Sequence, residues 1–132
     1  MTGEINLMKL LASMKPIILD EEYVFCTING AKYGDYSELS PLASYLEFEG
    51  LTLLLTKDNA EKANLKYEGV FKGITLTVHS SLEAVGLTAA ISSKLAEKGI
   101  SANVIAAYYH DHIFVQTEKA EMAMEALNEF GS

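Results

Sequence analysis

From Ile74 to Phe130 the hydrophobic period changes in a fixed order, and that order leaves few folds open. Ile74, Leu76 and Val78 alternate with Thr75, Thr77 and His79, a period of two that predicts a strand with one buried face. Ser80 and Glu83 then match the S-x-x-E box, in which each side chain satisfies the other residue's free backbone N–H at a helix start. Ala84, Leu87, Ile91 and Leu95 share one face of the expected helix, which Lys98 and Gly99 close with a basic last turn and a glycine stop. Ile100 to Tyr109 reads as a strand, His110-Asp111 as a tight turn, and His112 to Thr117 as the hairpin partner. A last helix from Glu118 places Ala120, Ala123, Leu127 and Phe130 inward. The order is β-α-β-β-α.

A ferredoxin-like unit runs βαββαβ, so this half lacks its final strand. The first half carries a different irregularity. Glu4 to Met14 reads as a helix that Pro16 stops, and Ile17-Ile18-Leu19 is a short apolar run of strand type. Asp20-Glu21-Glu22 is expected to break that run before a second strand, Tyr23 to Ile28. Asn29-Gly30 signals a turn, and Ala31 to Pro41 reads as a loop with one helical turn at most. Strands follow at Ser44–Phe48 and Leu51–Thr56, then a short helix capped by Asp58-Asn59, then an extended stretch Lys66 to Phe71.

The economical arrangement is α/β (α+β): two ferredoxin-like sandwiches with mainly antiparallel sheets, residues 1–71 forming one unit and 72–132 the other. The spare strand Ile17–Leu19 would complete the second unit's sheet, an exchange the residues alone leave open. Neither half is long enough to bury much by itself, so the two are expected to fold as one body.

Composition narrows function. Ten lysines stand against eighteen acidic residues, a net charge of −8, and there is no arginine. Nucleic-acid binding draws on neutralised phosphates and guanidinium contacts to bases, so no nucleic-acid partner is expected. An anionic membrane surface is disfavoured for the same reason. Cys26 is the one cysteine, which excludes an intrachain disulfide and a thiolate zinc cluster, and its apolar surroundings predict core filling. The first residues show no basic region followed by an apolar run, and no apolar stretch approaches a membrane span of roughly 20 residues. A cytoplasmic protein is expected.

The strings Thr77-Val78-His79-Ser80-Ser81-Leu82-Glu83-Ala84-Val85-Gly86-Leu87-Thr88-Ala89-Ala90 and Ala107-Tyr108-Tyr109-His110-Asp111-His112-Ile113-Phe114-Val115 are long and specific. Together with Gly99 to Ala106 and Glu47-Phe48-Glu49-Gly50-Leu51-Thr52, they closely resemble a small bacterial family built from tandem ACT domains. The likeness runs from about Leu19 to Phe130. It implies a ferredoxin-like fold, an ACT-type role in binding a small molecule, usually an amino acid, as a regulatory module, and pairing of copies into a homo-oligomer.

Chemistry-bearing residues are few. His79, His110 and His112 with Asp111 could compose a metal site, but the first strand's end and the hairpin tip are expected at opposite ends of the sheet, so no metal and no cofactor is assigned. Glu47 and Glu49, two apart on a strand, read as a solvated edge rather than an acid–base pair. The glycines at 69, 73 and 86 form no phosphate loop of the G-x-x-x-x-G-K type. No catalytic residue is assigned. The strand-to-helix turn is the stronger candidate: Ser81, Leu82, Glu83, Ala84, Val85 and Gly86 are expected to wall a pocket in which first-turn N–H groups take a ligand carboxylate. Gly86, Ala89, Ala90 and Ser93 form a small-residue stripe that suits either ligand approach or close packing. The reading is therefore a non-catalytic regulatory module that binds a small molecule, an amino acid, and acts through a separate regulated protein, with a structural or partner-binding assembly module as the alternative.

Overall fold

The computed structural model describes residues 6–77 and 86–131. Six strands are hydrogen-bonded in the order β2-β3-β1-β4-β6-β5. They are β1 (Lys15–Ile28), β2 (Ala43–Glu47), β3 (Gly50–Thr56), β4 (Phe71–Thr77), β5 (Asn103–Ala106) and β6 (Asp111–Gln116). The helices are α1 (Leu7–Ser13), α2 (Lys57–Lys62), α3 (Leu87–Glu97) and α4 (Ala120–Asn128). Two compact units result, one of Met1–Asp20 with Lys72–Ser132 and one of Glu21–Phe71. Instead of two sandwiches with separate sheets, one six-stranded order forms, because β1 is fourteen residues long and contributes to both units.

Continuity of β1 corrects the expected break at Asp20-Glu21-Glu22. Charged residues end a strand only where their side chains cannot reach water. Asp20 and Glu21 are exposed, and Glu22 lies 4.0 Å from Lys57 Nζ. Lys72 Nζ donates to the Asp20 carbonyl at 2.7 Å. Pro16 does not end the strand either: it sits outside the register with β3, which covers Tyr23 to Ile28, so its missing N–H interrupts no bond of that ladder.

In the unit containing both chain ends, the strand beside β4 is β1. The β4-α3-β5-β6-α4 order read from the sequence is observed, with β4 and β5 in one sheet. Ile74, Leu76, Ile113 and Val115 meet Leu87, Ile91 and Leu95 of α3 and Ala120, Ala123 and Leu127 of α4 in one buried cluster, which Leu10, Leu11 and Met14 also join. Burying each such leucine or isoleucine contributes about 1.5–3 kcal/mol. Asn6 caps α1 by accepting from Lys9 N at 3.1 Å. Gly99, in the left-handed region at φ 75°, stops α3 as expected: its N–H donates to Ala96 O at 2.9 Å, and Ile100 N donates to Leu95 O at 3.0 Å. The expected strand Ile100–Tyr109 shrinks to Asn103–Ala106, because Ala107 to His110 form the hairpin turn, with Ala107 N donating to His110 O at 3.1 Å.

In the other unit, β3 pairs antiparallel with both β1 and β2. Val24, Cys26, Leu51, Leu53, Leu55 and Ala60 form its core. Cys26 fills that core, and burial pushes its thiol pKa up. Thr56, not Asp58-Asn59, caps α2, its Oγ1 accepting from Asn59 N at 3.2 Å. Lys66 to Val70 form no strand: Gly69 turns the chain at φ 74°, and Leu65, Tyr67 and Val70 pack inward at a spacing that a strand's period of two does not produce. Between β1 and β2 the chain makes one 3-10 turn, Ser37–Leu39.

Candidate functional site

Of the six expected pocket residues, Ser81, Leu82, Glu83, Ala84 and Val85 lie outside the described residues, as do His79 and the Ser80 end of the helix-start box. Gly86 is described, and it changes the expectation. It is the N-cap of α3, half-buried, at φ 91°. The helix therefore begins at Leu87, and Ala90 N donates to Gly86 O at 2.9 Å. A left-handed backbone favours glycine, so a residue that reads as a tolerable mid-helix glycine is fixed by conformation. A Cβ there would stand 3.3 Å from Leu7 Cδ2. The small-residue stripe divides: Ala90 packs against the core, while Ala89 and Ser93 are exposed.

The hairpin supplies the second cluster. His112 Nδ1 lies 3.0 Å from Thr75 Oγ1, a bond whose donor depends on the ring tautomer. The His110 and His112 rings are 6.5 Å apart and nearly perpendicular, and His110 Nδ1 is buried with no hydrogen-bond partner among the described residues. Burial, then His110, pushes the His112 pKa down, against the pull of Asp111. Burial pushes Asp111 up, against the pull of His112. Among the described residues no group of three metal-ligating side chains converges. Tyr108 and Tyr109 occupy the turn, edge to face at 5.0 Å and both exposed, rather than alternating along a strand. Glu47 ends β2 and accepts from Thr52 Oγ1, while Glu49 sits in the β2–β3 turn, so the two carboxylates do not share a strand face.

A further feature leaves no mark in the spacing of the residues. Between the β1–β2 loop and the start of β2, the Glu21–Phe71 unit contains a cavity of about 290 Å³. Leu51 and Leu53 lie at its floor. Those leucines read as ordinary core, and nothing in their spacing announces a void above them.

Residues 2–72 match one ACT-domain profile and residues 72–129 match another. The chain belongs to the ACT-domain family. Among solved structures, this ACT pair is similar to a Vibrio cholerae protein of unknown function, described as a possible transport protein, with 59% identity, a TM-score of 0.88 and 96% of each chain covered. It shares its fold with an Agrobacterium tumefaciens protein at 16% identity, a TM-score of 0.74 and 89% of each chain. The regulatory subunit of aspartate kinase from Thermus flavus also has this fold, at 10% identity and a TM-score of 0.65, over 89% of this chain and 97% of that one. No curated protein matches the chain. Among the described residues no helix of the ACT pair is long and apolar enough to cross a membrane.

Proposed function

We propose that this ACT pair is a non-catalytic regulatory module that binds a small molecule, an amino acid, in the connection from Ser81 to Gly86. The observation that carries the reading is the pair of ACT-domain matches, which together span residues 2–129. The β4-α3-β5-β6-α4 order of the second match supports a strand-to-helix connection as the place for a ligand. Gly86 supports the site locally. Among the described residues no side chain caps α3 at Gly86, and the macrodipole of this eleven-residue helix favours a carboxylate at its N-terminus. The shared fold of the Thermus flavus regulatory subunit is consistent with action on a separate regulated protein. A cytoplasmic setting accords with a single buried free cysteine.

The assembly reading has its own support. β2 lies at one end of the strand order and exposes Tyr45 and Leu46, with Phe48 in the following turn. A homo-oligomer would cover such a surface, and light scattering at micromolar protein is expected to show more than a monomer. Ligand binding is tested by thermal shift with the twenty amino acids. A ligand of about eight heavy atoms, at roughly 0.5 kcal/mol per atom, reaches only millimolar affinity, so the screen needs tens of millimolar ligand. At least one amino acid should raise the melting temperature in a saturable manner. No shift with any of them leaves assembly as the function.

A further inference from the structure

We infer that the Glu21–Phe71 unit holds a second, independent small-molecule site, the cavity between the β1–β2 loop and β2-β3, which takes a small primary amine with a short apolar body. In a βαββαβ unit the first strand is followed by a helix that covers the sheet. Here that position is occupied by an irregular segment with a single 3-10 turn, and the cavity of about 290 Å³ is the space it leaves. The volume is near the lower end of small-molecule pockets, about 300–1,000 Å³.

The loop is held in shape rather than free to collapse into the space. Gly34, Tyr36 and Ser40 all lie in the left-handed region, at φ 95°, 67° and 51°. Two of the three are not glycine, so the surrounding bonds must hold them there. Asp35 N donates to Lys32 O at 2.9 Å, and Ser40 N to Ser37 O at 3.0 Å. From outside the loop, Asn59 Nδ2 of α2 donates to Leu39 O at 3.0 Å, and Leu42 N donates to Leu54 O at 2.8 Å.

The lining defines the ligand. Pro41, Leu42, Leu51 and Leu53 supply an apolar wall and floor. Ser37, Ser44 and Tyr33 supply hydroxyls. Among the described residues, Asp35 is the only charged one of the lining. Its Oδ2 accepts the Lys32 N–H at 2.8 Å, and a carboxylate has capacity for further donors. An exposed carboxylate in the same lining as buried leucines favours a cation with a hydrocarbon tail over an anion of the same shape. The site shares no residue with Ser81–Gly86 and does not depend on the reading proposed for that connection.

The test is an amide NMR titration of the full chain with n-butylamine, n-butanol and butyrate as probes. Butylamine at millimolar concentration should shift the amides of Gly34, Ser37, Ala43 and Ser44 in a saturable manner, with butanol weaker and butyrate without effect at those positions. Asp35→Asn keeps an oxygen acceptor for the Lys32 N–H and should weaken butylamine about two- to fivefold, as expected for an exposed charge. Ser44→Leu, at the position paired with Leu53 on the cavity face of the sheet, should abolish its shifts at Gly34 and Ser37 with the rest of the spectrum preserved. Unlocalised shifts, equal response to butyrate, or unchanged affinity in Asp35→Asn would overturn the inference. Amino-acid responses at residues 81–86 are read separately in the same spectra, so the two sites fail independently.

Discussion

The two units differ most in how they close the face of the sheet. Among the described residues, the unit of Met1–Asp20 and Lys72–Ser132 has fifteen buried hydrophobic residues in one cluster, with three helices contributing. The Glu21–Phe71 unit has six, and the only helix contributing to them is α2. Leu87, Ile91 and Leu95 recur at helical spacing and lay a continuous apolar stripe on strands that alternate in and out. Tyr36 and Leu39 come from a loop and a 3-10 turn, and they cover their strands only in part. A face closed by regular helices is a rigid scaffold. A face closed by a loop keeps a cavity, which costs stability and leaves room for a ligand.

That contrast predicts unequal losses on truncation. Leu95→Ala is expected to cost about 3–5 kcal/mol and Leu53→Ala about 2–3 kcal/mol by urea denaturation, since a void already adjoins Leu53. Equal or reversed values would break the comparison. Gly73→Ala should cost about 1–3 kcal/mol, because a Cβ would lie 2.8 Å from Phe114 Cε2 and 3.0 Å from Leu19 Cδ1, and the Phe114 ring is fully buried. Gly86→Ala should cost about 1–2 kcal/mol through its left-handed backbone, the opposite sign from an ordinary helix glycine. Thr56→Ala removes the α2 cap and should cost about 1 kcal/mol, the largest helix-end effect expected in the Glu21–Phe71 unit.

The smallest effect expected is a pH slope. His112 has its pKa lowered in the folded state, so as pH falls just below about 6.5 the unfolded chain takes up a proton that the folded chain does not. Stability should fall with pH through that window and level off below the folded pKa. Asp111, raised by burial, works in the opposite direction at lower pH, its contribution being lost as pH rises through its folded pKa. Among the described residues, the polar and titratable groups that act on the imidazole are Thr75, His110 and Asp111. Replacing His112 with Gln should flatten the slope just below 6.5, measured as melting temperature against pH.

Periodicity made the helical layer legible. Leu87, Ile91 and Leu95 of α3, Ala120, Ala123 and Leu127 of α4, the Gly99 stop and the β2–β3 hairpin all follow from apolar spacing and turn residues, whereas the spacing does not single out the buried Ala126. Pairing was not legible, because hydrogen-bonded neighbours leave no spacing signal. Three carboxylates in a row look like a break until both strand halves have partners, as in β1. Lys66 to Val70 look extended, yet Gly69 turns them out of any ladder. The sign of φ at Gly86 was equally hidden, since a glycine before a helix and one inside it are the same letter. The connection Ser81–Val85 was named from family likeness and helix-end chemistry, whereas the cavity under the β1–β2 loop depends on a helix that fails to form.

The most direct test of the account is an amide NMR titration of the full chain with each of the twenty amino acids at millimolar concentration. It is preferred to replacing Gly86 by a bulky residue, because strain at φ 91° would confound the result. The account predicts that at least one amino acid produces saturable shifts that include residues 81–86 and the first turn of α3. Saturable shifts confined to other parts of the chain, or none with any amino acid, would contradict it.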